Sequence, residues 1–153
     1  MPLEKDIKQK TFKNPYNRLT INIMFTSGWL LTRTSKILKP YGLSEQQFSV
    51  LKILRQHHPE TLNINLIMAG MINRMSNTSR LVDKLVTKNL VRKVDSLHDL
   101  RSTYVELTAK GLALIDELNI IIGNYENGST GLNLEEVELL NNLLTKIKKN
   151  DSQ

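Results

Sequence analysis

Between Met75 and Thr108 the apolar spacing switches from a helical period to a strand period within a few residues. That switch restricts the fold more than any other feature of the chain. Leu81, Val82, Leu85 and Val86 recur at helical spacing and make one apolar stripe. Ser76 is placed to cap this helix, because its hydroxyl can satisfy a free amide of the first turn. Residues 90 to 95 and 102 to 107 are rich in β-branched and apolar side chains, and a short polar link joins them. That pattern predicts a two-stranded hairpin. The expected unit is a helix, a tight exit and a wing that returns through Asp99 and Arg101.

The opposite face of the helix carries Ser76, Arg80, Asp83, Lys84 and Thr87, with Asn77 at its margin. It is small, polar and net basic. Short side chains let a helix backbone approach base edges in a major groove, where Arg reads guanine and Asn reads adenine through paired hydrogen bonds. The candidate DNA contacts are therefore Ser76, Asn77, Ser79 and Arg80, with Lys84 on phosphate. Thr78 shares the angular position of Leu85 and is expected to pack inward. Taken alone, the helix would also suit an ordinary solvated surface; the wing that follows is the rarer feature.

The preceding chain supplies the rest of a helix-turn-helix. Asn14-Pro15 reads as a cap and first helical residue. The helix runs to about residue 39, where Pro40 stops it. Its apolar residues, Trp29 and Leu30 among them, occupy more than one face, so it needs two partners. These are its own domain and a second subunit, or two sides of one monomer. Ser44 and Gln47 have capping-box form and open a second helix. Residues 61 to 71 read as a third, shorter helix, and 72 to 75 as the turn into the helix described first. Such an arrangement presents its last helix to a major groove. Thr108 caps a helix from 109 to about 125, and Asn133 with Glu136 opens the last one.

Arg80-Leu-Val-Asp-Lys-Leu, Asn89-Leu-Val-Arg, Asp99-Leu-Arg101 and Leu107-Thr-Ala-Lys-Gly111, in that order, resemble the MarR (multiple-antibiotic-resistance regulator) family of bacterial winged-helix transcription factors. The motifs cover roughly residues 43 to 118, and the order of elements extends over most of the chain. The resemblance implies a mainly α fold. About 44–107 form a winged helix-turn-helix core with a two-stranded β-wing, and about 14–39 and 109–149 form dimerisation helices, in a single domain spanning 1–153. It implies that Arg101 enters the minor groove and that Asp99 orients it; a structural ion pair is the alternative for these two. It also implies a small aromatic or phenolic effector in a crevice that Met24, Trp29, Tyr41 and Met68 could line, although those residues equally suit plain core. Asn89 stands where the family usually has Gly, and Asn enters the left-handed region cheaply. Leu100 stands where a basic residue is common, and the wing tip Ser96-Leu97-His98 is poor in positive charge.

Composition sets outer limits. The 153 residues suggest one domain, and they carry net charge +6 and no cysteine. The charge is uneven: residues 1 to 40 hold eight Lys or Arg against two acids, and residues 74 to 110 hold eight against four. Such clustering suits a polyanion. The absence of cysteine excludes disulfides and thiolate metal sites. His57 and His58 are adjacent, so on a helix they do not share a face, and no metal or cofactor is expected. No phosphate loop, catalytic triad or His-Glu-x-x-His motif appears, so an enzyme is not expected. No apolar run reaches membrane-spanning length, and the N-terminus lacks a signal peptide's apolar region, which suggests the cytoplasm. The resulting expectation is a homodimeric, sequence-specific regulator of transcription, a repressor on a pseudo-palindromic operator of double-stranded DNA. The rival is a winged-helix module that binds only protein.

Overall fold

The computed structural model describes residues 5, 8, 11–72, 77–95 and 102–149. The chain forms two compact units, residues 1–118 and 119–153. The first unit opens with α1 (Pro15–Leu38), where the Asn14 side chain accepts from the Asn17 N–H at 2.9 Å and Pro15 takes the first helical position. Leu38 leads into a 3-10 turn, Lys39–Tyr41, which carries Pro40 and is closed by Gly42 at φ +65°. α2 (Glu45–His57) begins with the expected reciprocal cap: Gln47 N–H donates to Ser44 Oγ, and Ser44 N–H donates to Gln47 Oε1.

The next segment differs from the reading of 61 to 71 as one helix. Leu62–Asn63 is a short strand, β1, and the helix α3 covers only Ile64–Gly70. Asn63 decides the break. Its side chain accepts from Leu66 N–H at 2.8 Å and so caps α3, while its own backbone stays extended against another strand. The recognition helix, α4 (Thr78–Thr87), likewise starts one residue later than expected. Asn77 is its cap, accepting from Arg80 N–H at 3.1 Å. Ser76, read as the cap from sequence, lies outside the described residues.

α4 ends in a Schellman turn. Asn89 N–H donates to the Val86 carbonyl and Leu90 N–H to the Leu85 carbonyl, with Asn89 itself at φ +57°. β2 (Val91–Asp95) follows, then β3 (Thr103–Leu107). The sheet has the order β1-β3-β2, all antiparallel, with Val91 opposite Leu107, Lys93 opposite Val105 and Leu62 opposite Val105 from the other side. The expected two-stranded wing therefore gains a third strand, which ties the helix-turn-helix to the wing by backbone hydrogen bonds.

α5 (Ala109–Ser129) starts in the first unit. Its entry is locked to the exit of α4. Thr108 Oγ1 donates to the Asn89 carbonyl at 2.7 Å and accepts from Gly111 N–H at 3.0 Å. A Cβ on Gly111 would run into the Leu90 carbonyl oxygen. The spacing from Asn89 to Gly111 is thus a packing requirement, met by a hydroxyl at 108 and no side chain at 111.

The core of the first unit lies where α2, α4 and the sheet meet. Val50, Leu51, Val82, Leu85 and Val105 are fully buried there. At about 25 cal/mol per Å² of apolar surface, such side chains supply most of the favourable free energy of folding. Ile115 and Leu118, on the first part of α5, are equally buried. In the second unit, α6 (Leu134–Lys149) opens with Asn133 and Glu136 bonded reciprocally, as the sequence suggested. No helix among the described residues is long and apolar enough to cross a membrane.

Candidate nucleic-acid interface

The apolar stripe of α4 determines which of its polar residues face solvent. Val82, Leu85 and Thr78 are buried, so Asn77, Ser79, Arg80, Asp83 and Lys84 are turned outward and exposed. The inward placement of Thr78 agrees with the sequence reading. Val86 does not: its spacing places it in the apolar stripe, yet it is 39% exposed. Residues 82 and 85 point at the centre of the core, and 86 has rotated past its edge.

Charge on this face is partly used within the molecule. Asp83 pairs with Lys93 of β2 at 2.6 Å, which fixes α4 against the sheet. Arg92 on β2 pairs with Glu106 of β3. Lys88 donates to the Gly42 carbonyl, and Lys110 to the Lys88 carbonyl at 3.1 Å, so both hold turns together. Arg80 and Lys84 have no ion-pair partner among the described residues. Two unneutralised cations thus stand on an exposed helix face beside the small Ser79. Asn77 has committed its side-chain oxygen to the cap, which leaves its amide N–H groups to donate outward.

Beside Ser79 lies an open groove of about 220 Å³, lined by Asn63, Ile64, Asn65, Ser79, Ser102 and Thr103. Five of these six side chains are uncharged hydrogen-bonding groups. They come from β1, the start of α3, α4 and the edge of the wing. Of these, only Ser79 is a candidate from the sequence; Asn63, Ile64 and Asn65 are hidden when 61 to 71 is read as a uniform helix. The usable signal was Asn63-Ile-Asn65, where a capping residue interrupts the apolar run.

Of the remaining candidates, Ser76, Asp99 and Arg101 lie outside the described residues. The four suggested effector contacts are not enclosed in a single chain. Met24, Trp29 and Met68 are exposed, at 69%, 43% and 40%. The Arg33 guanidinium stacks over the Trp29 ring, 4.4 Å from its centre. Tyr41 donates its hydroxyl to Glu117 Oε1 at 2.9 Å. That bond, with some burial, raises the phenol above its ordinary value, since ionisation would set two negative charges side by side. Among the described residues no three His, Asp or Glu side chains gather as a metal site would need.

Comparison with known proteins assigns the architecture. The family model described as transcriptional regulator SarA/Rot matches residues 32–118, from the end of α1 to the buried part of α5. The chain belongs to the SarA/Rot family of transcriptional regulators. The match covers the whole helix-turn-helix and wing, and it places the chain among transcriptional regulators. The HTH-type transcriptional regulator MgrA of Staphylococcus aureus is 28% identical over 114 residues, which is 74% of this chain and 76% of MgrA. Among solved structures, the S. aureus MepR–DNA complex superposes with a TM-score of 0.78 at 22% identity, covering 86% of this chain and 96% of MepR. A mutant MarR from E. coli complexed with operator DNA gives 0.70 at 23% identity, covering 96% and 99%. The MarR-like winged-helix fold read from the sequence motifs is the fold observed.

Proposed function

We propose that the chain binds double-stranded DNA at specific sequences as a homodimer and represses transcription. The observation that carries this reading is the outer face of α4. Arg80 and Lys84 stand exposed beside Ser79, on a helix held rigidly from behind by Val82 and Leu85. Membership of a family of transcriptional regulators agrees with it, as does fold likeness to proteins solved on DNA.

Arg80 and the amide of Asn77 address base edges, Ser79 permits close approach, and Lys84 meets phosphate. Ser76 adds a hydroxyl at the start of the helix. Arg101 enters the minor groove with Asp99 orienting it. The polar groove beside Ser79 seats the sugar–phosphate backbone between helix and wing. The apolar side chains exposed on α1 and α6, Leu31 and Leu143 among them, are covered by a second copy. With the winged core they form one working module over the whole chain. Two recognition helices then reach successive major grooves of a pseudo-palindrome, about 34–36 Å apart. A small aromatic or phenolic effector, seated against Met24, Trp29, Tyr41 and Met68 in the assembled dimer, shifts the population toward a form with another helix separation and releases the DNA. The protein acts in the cytoplasm, where the DNA is.

The test is selection of random duplexes by the purified protein at near-physiological salt, followed by sequencing. A two-fold symmetric motif with half-sites one helical turn apart is the expected result. Enrichment of no motif would overturn the reading, and affinity that is flat with salt would do so independently, because phosphate contacts release counterions.

A further inference from the structure

Two side-chain bridges join the winged core to adjacent residues of α5, and neither belongs to the DNA-facing surface. Arg55, on α2, binds Asp116 with two nitrogens: Nε donates to Oδ1 at 2.6 Å and a terminal nitrogen to Oδ2 at 3.4 Å. Tyr41, in the turn after α1, donates to Glu117 Oε1 at 2.9 Å. The hydrogen bond to Asp116 strengthens the hold of the Arg55 guanidinium on its proton.

Their placement around α5 gives them a role beyond attachment. The helix already sits on the core through Gly111, Ile115 and Leu118, which are buried and share one face. That apolar seam opposes separation but is non-directional, so it opposes rolling of the helix only weakly. Asp116 and Glu117 step away from the seam in opposite rotational senses. Bonds on both flanks, one of them a planar two-point contact, resist roll either way. Both bridges are within reach of water, so each contributes little to overall stability and can open without unfolding the core.

We propose that Arg55–Asp116 and Tyr41–Glu117 form a paired clasp that sets the roll of α5 on the winged core and thereby the separation of the two recognition helices. The inference rests on the homodimer reading above, because separation has meaning only for two linked cores. The four side chains are positioning residues: none lies on the outer face of α4. The bridges are also the natural point of control, since a ligand or contact that takes Tyr41 or Asp116 from its partner frees the roll without touching the DNA-binding face.

The experiment compares wild type with the double variant D116A/E117A, which removes both acceptors from α5 and leaves Tyr41 and Arg55 in place. Affinity is measured on the wild-type operator, on the same operator with one base pair added or removed between half-sites, and on a single half-site. The double variant should remain a folded dimer with unchanged half-site affinity. It should lose about three- to thirtyfold on the wild-type spacing and discriminate less among the three spacings. D116E, which keeps the charge partner of Arg55, should recover part of the preference. A spacing profile identical to wild type would overturn the clasp while leaving the dimeric regulator standing. A wild type indifferent to spacing would overturn the dimer reading and the clasp with it. If the double variant does not fold, E117A alone carries the same comparison, because it removes only one exposed carboxylate.

Discussion

α4 and α6 are built from the same kind of pattern, aliphatic residues repeating every three or four positions, yet they end in opposite states. On α4, Val82 and Leu85 are completely buried. On α6, Leu139, Leu140, Leu143 and Ile147 are 60%, 46%, 50% and 44% exposed. The same contrast runs through the first unit, where α2 hides Val50, Leu51 and Leu54 while α1 leaves Leu30 and Leu31 about half in water. Amphipathic spacing specifies that a helix has a face to bury, but it does not specify what covers that face. In the winged core the cover is supplied by neighbouring segments of the same chain. For α1 and α6 the cover we propose is a second copy.

The sharpest way to break this comparison is truncation on both sides. Leu85→Ala should cost about 2–5 kcal/mol in chemical denaturation, because it empties a closed site. Leu140→Ala should change the denaturation of dilute protein by no more than about 0.5 kcal/mol. Equal losses would mean that α6 is covered within the chain. Gly111→Ala belongs with the large effects, at about 3 kcal/mol, because the new methyl group meets the Leu90 carbonyl and neither backbone can retreat without breaking the Thr108 bridge. A variant with wild-type melting would remove the close approach inferred there.

Intermediate effects should separate assembly from DNA reading. Trp29→Glu puts a charge on the exposed apolar side of α1 and should shift sedimentation from dimer toward monomer while the winged core keeps its helical signal. A full-strength dimer would contradict the placement of Trp29 in the interface. Arg80→Ala leaves the core untouched and should cost about 1–3 kcal/mol on the selected operator, with less loss on random duplex. Equal loss on both would demote Arg80 to a phosphate contact. Lys84→Ala should weaken both alike and reduce the salt slope by about one.

The smallest effect concerns the left-handed turn. Asn89→Ala should destabilise by about 1 kcal/mol, and Asn89→Gly by none or less than none, since Ala keeps a Cβ at positive φ without the short polar group that lets Asn adopt it, and Gly has no Cβ. Tyr41 gives a spectroscopic counterpart. The bond to Glu117 holds its phenol above the ordinary tyrosine value, so its contribution is complete below that ordinary value and is lost as pH rises through the folded one. In an ultraviolet titration the wild-type minus Y41F difference should therefore ionise above the ordinary tyrosine range. A midpoint at or below the ordinary value would remove the bond to Glu117.

Much of the fold was legible because it is written in local chemistry. The caps at Asn14, Ser44 and Asn133, the left-handed Asn89 and the inward Thr78 each follow from one residue and its near neighbours, and the structure has them all. The same holds for the outer face of α4: once Val82 and Leu85 are known to be buried, helical geometry places Ser79, Arg80 and Lys84 outside. Where local reading failed, a distant strand intervened. Leu62 and Asn63 leave the expected helix because β3, some forty residues later, offers their backbone a partner, and only then does Asn63 become the cap of α3. The polar groove beside Ser79 was invisible for the same reason, since its walls come from three separate stretches of chain.

By itself, the sequence determined the order of the helices and of the two wing strands, and the basic, small-residue surface of α4, because these depend on periodicity, capping and charge within a few residues. Only the tertiary structure decided which charges remain unpaired, which glycine admits no side chain and which carboxylates hold α5 to the core. Those depend on pairs of residues far apart in sequence, such as Arg55 with Asp116 and Leu90 with Gly111, and their meeting is fixed by the packing of the whole unit rather than by any stretch of it.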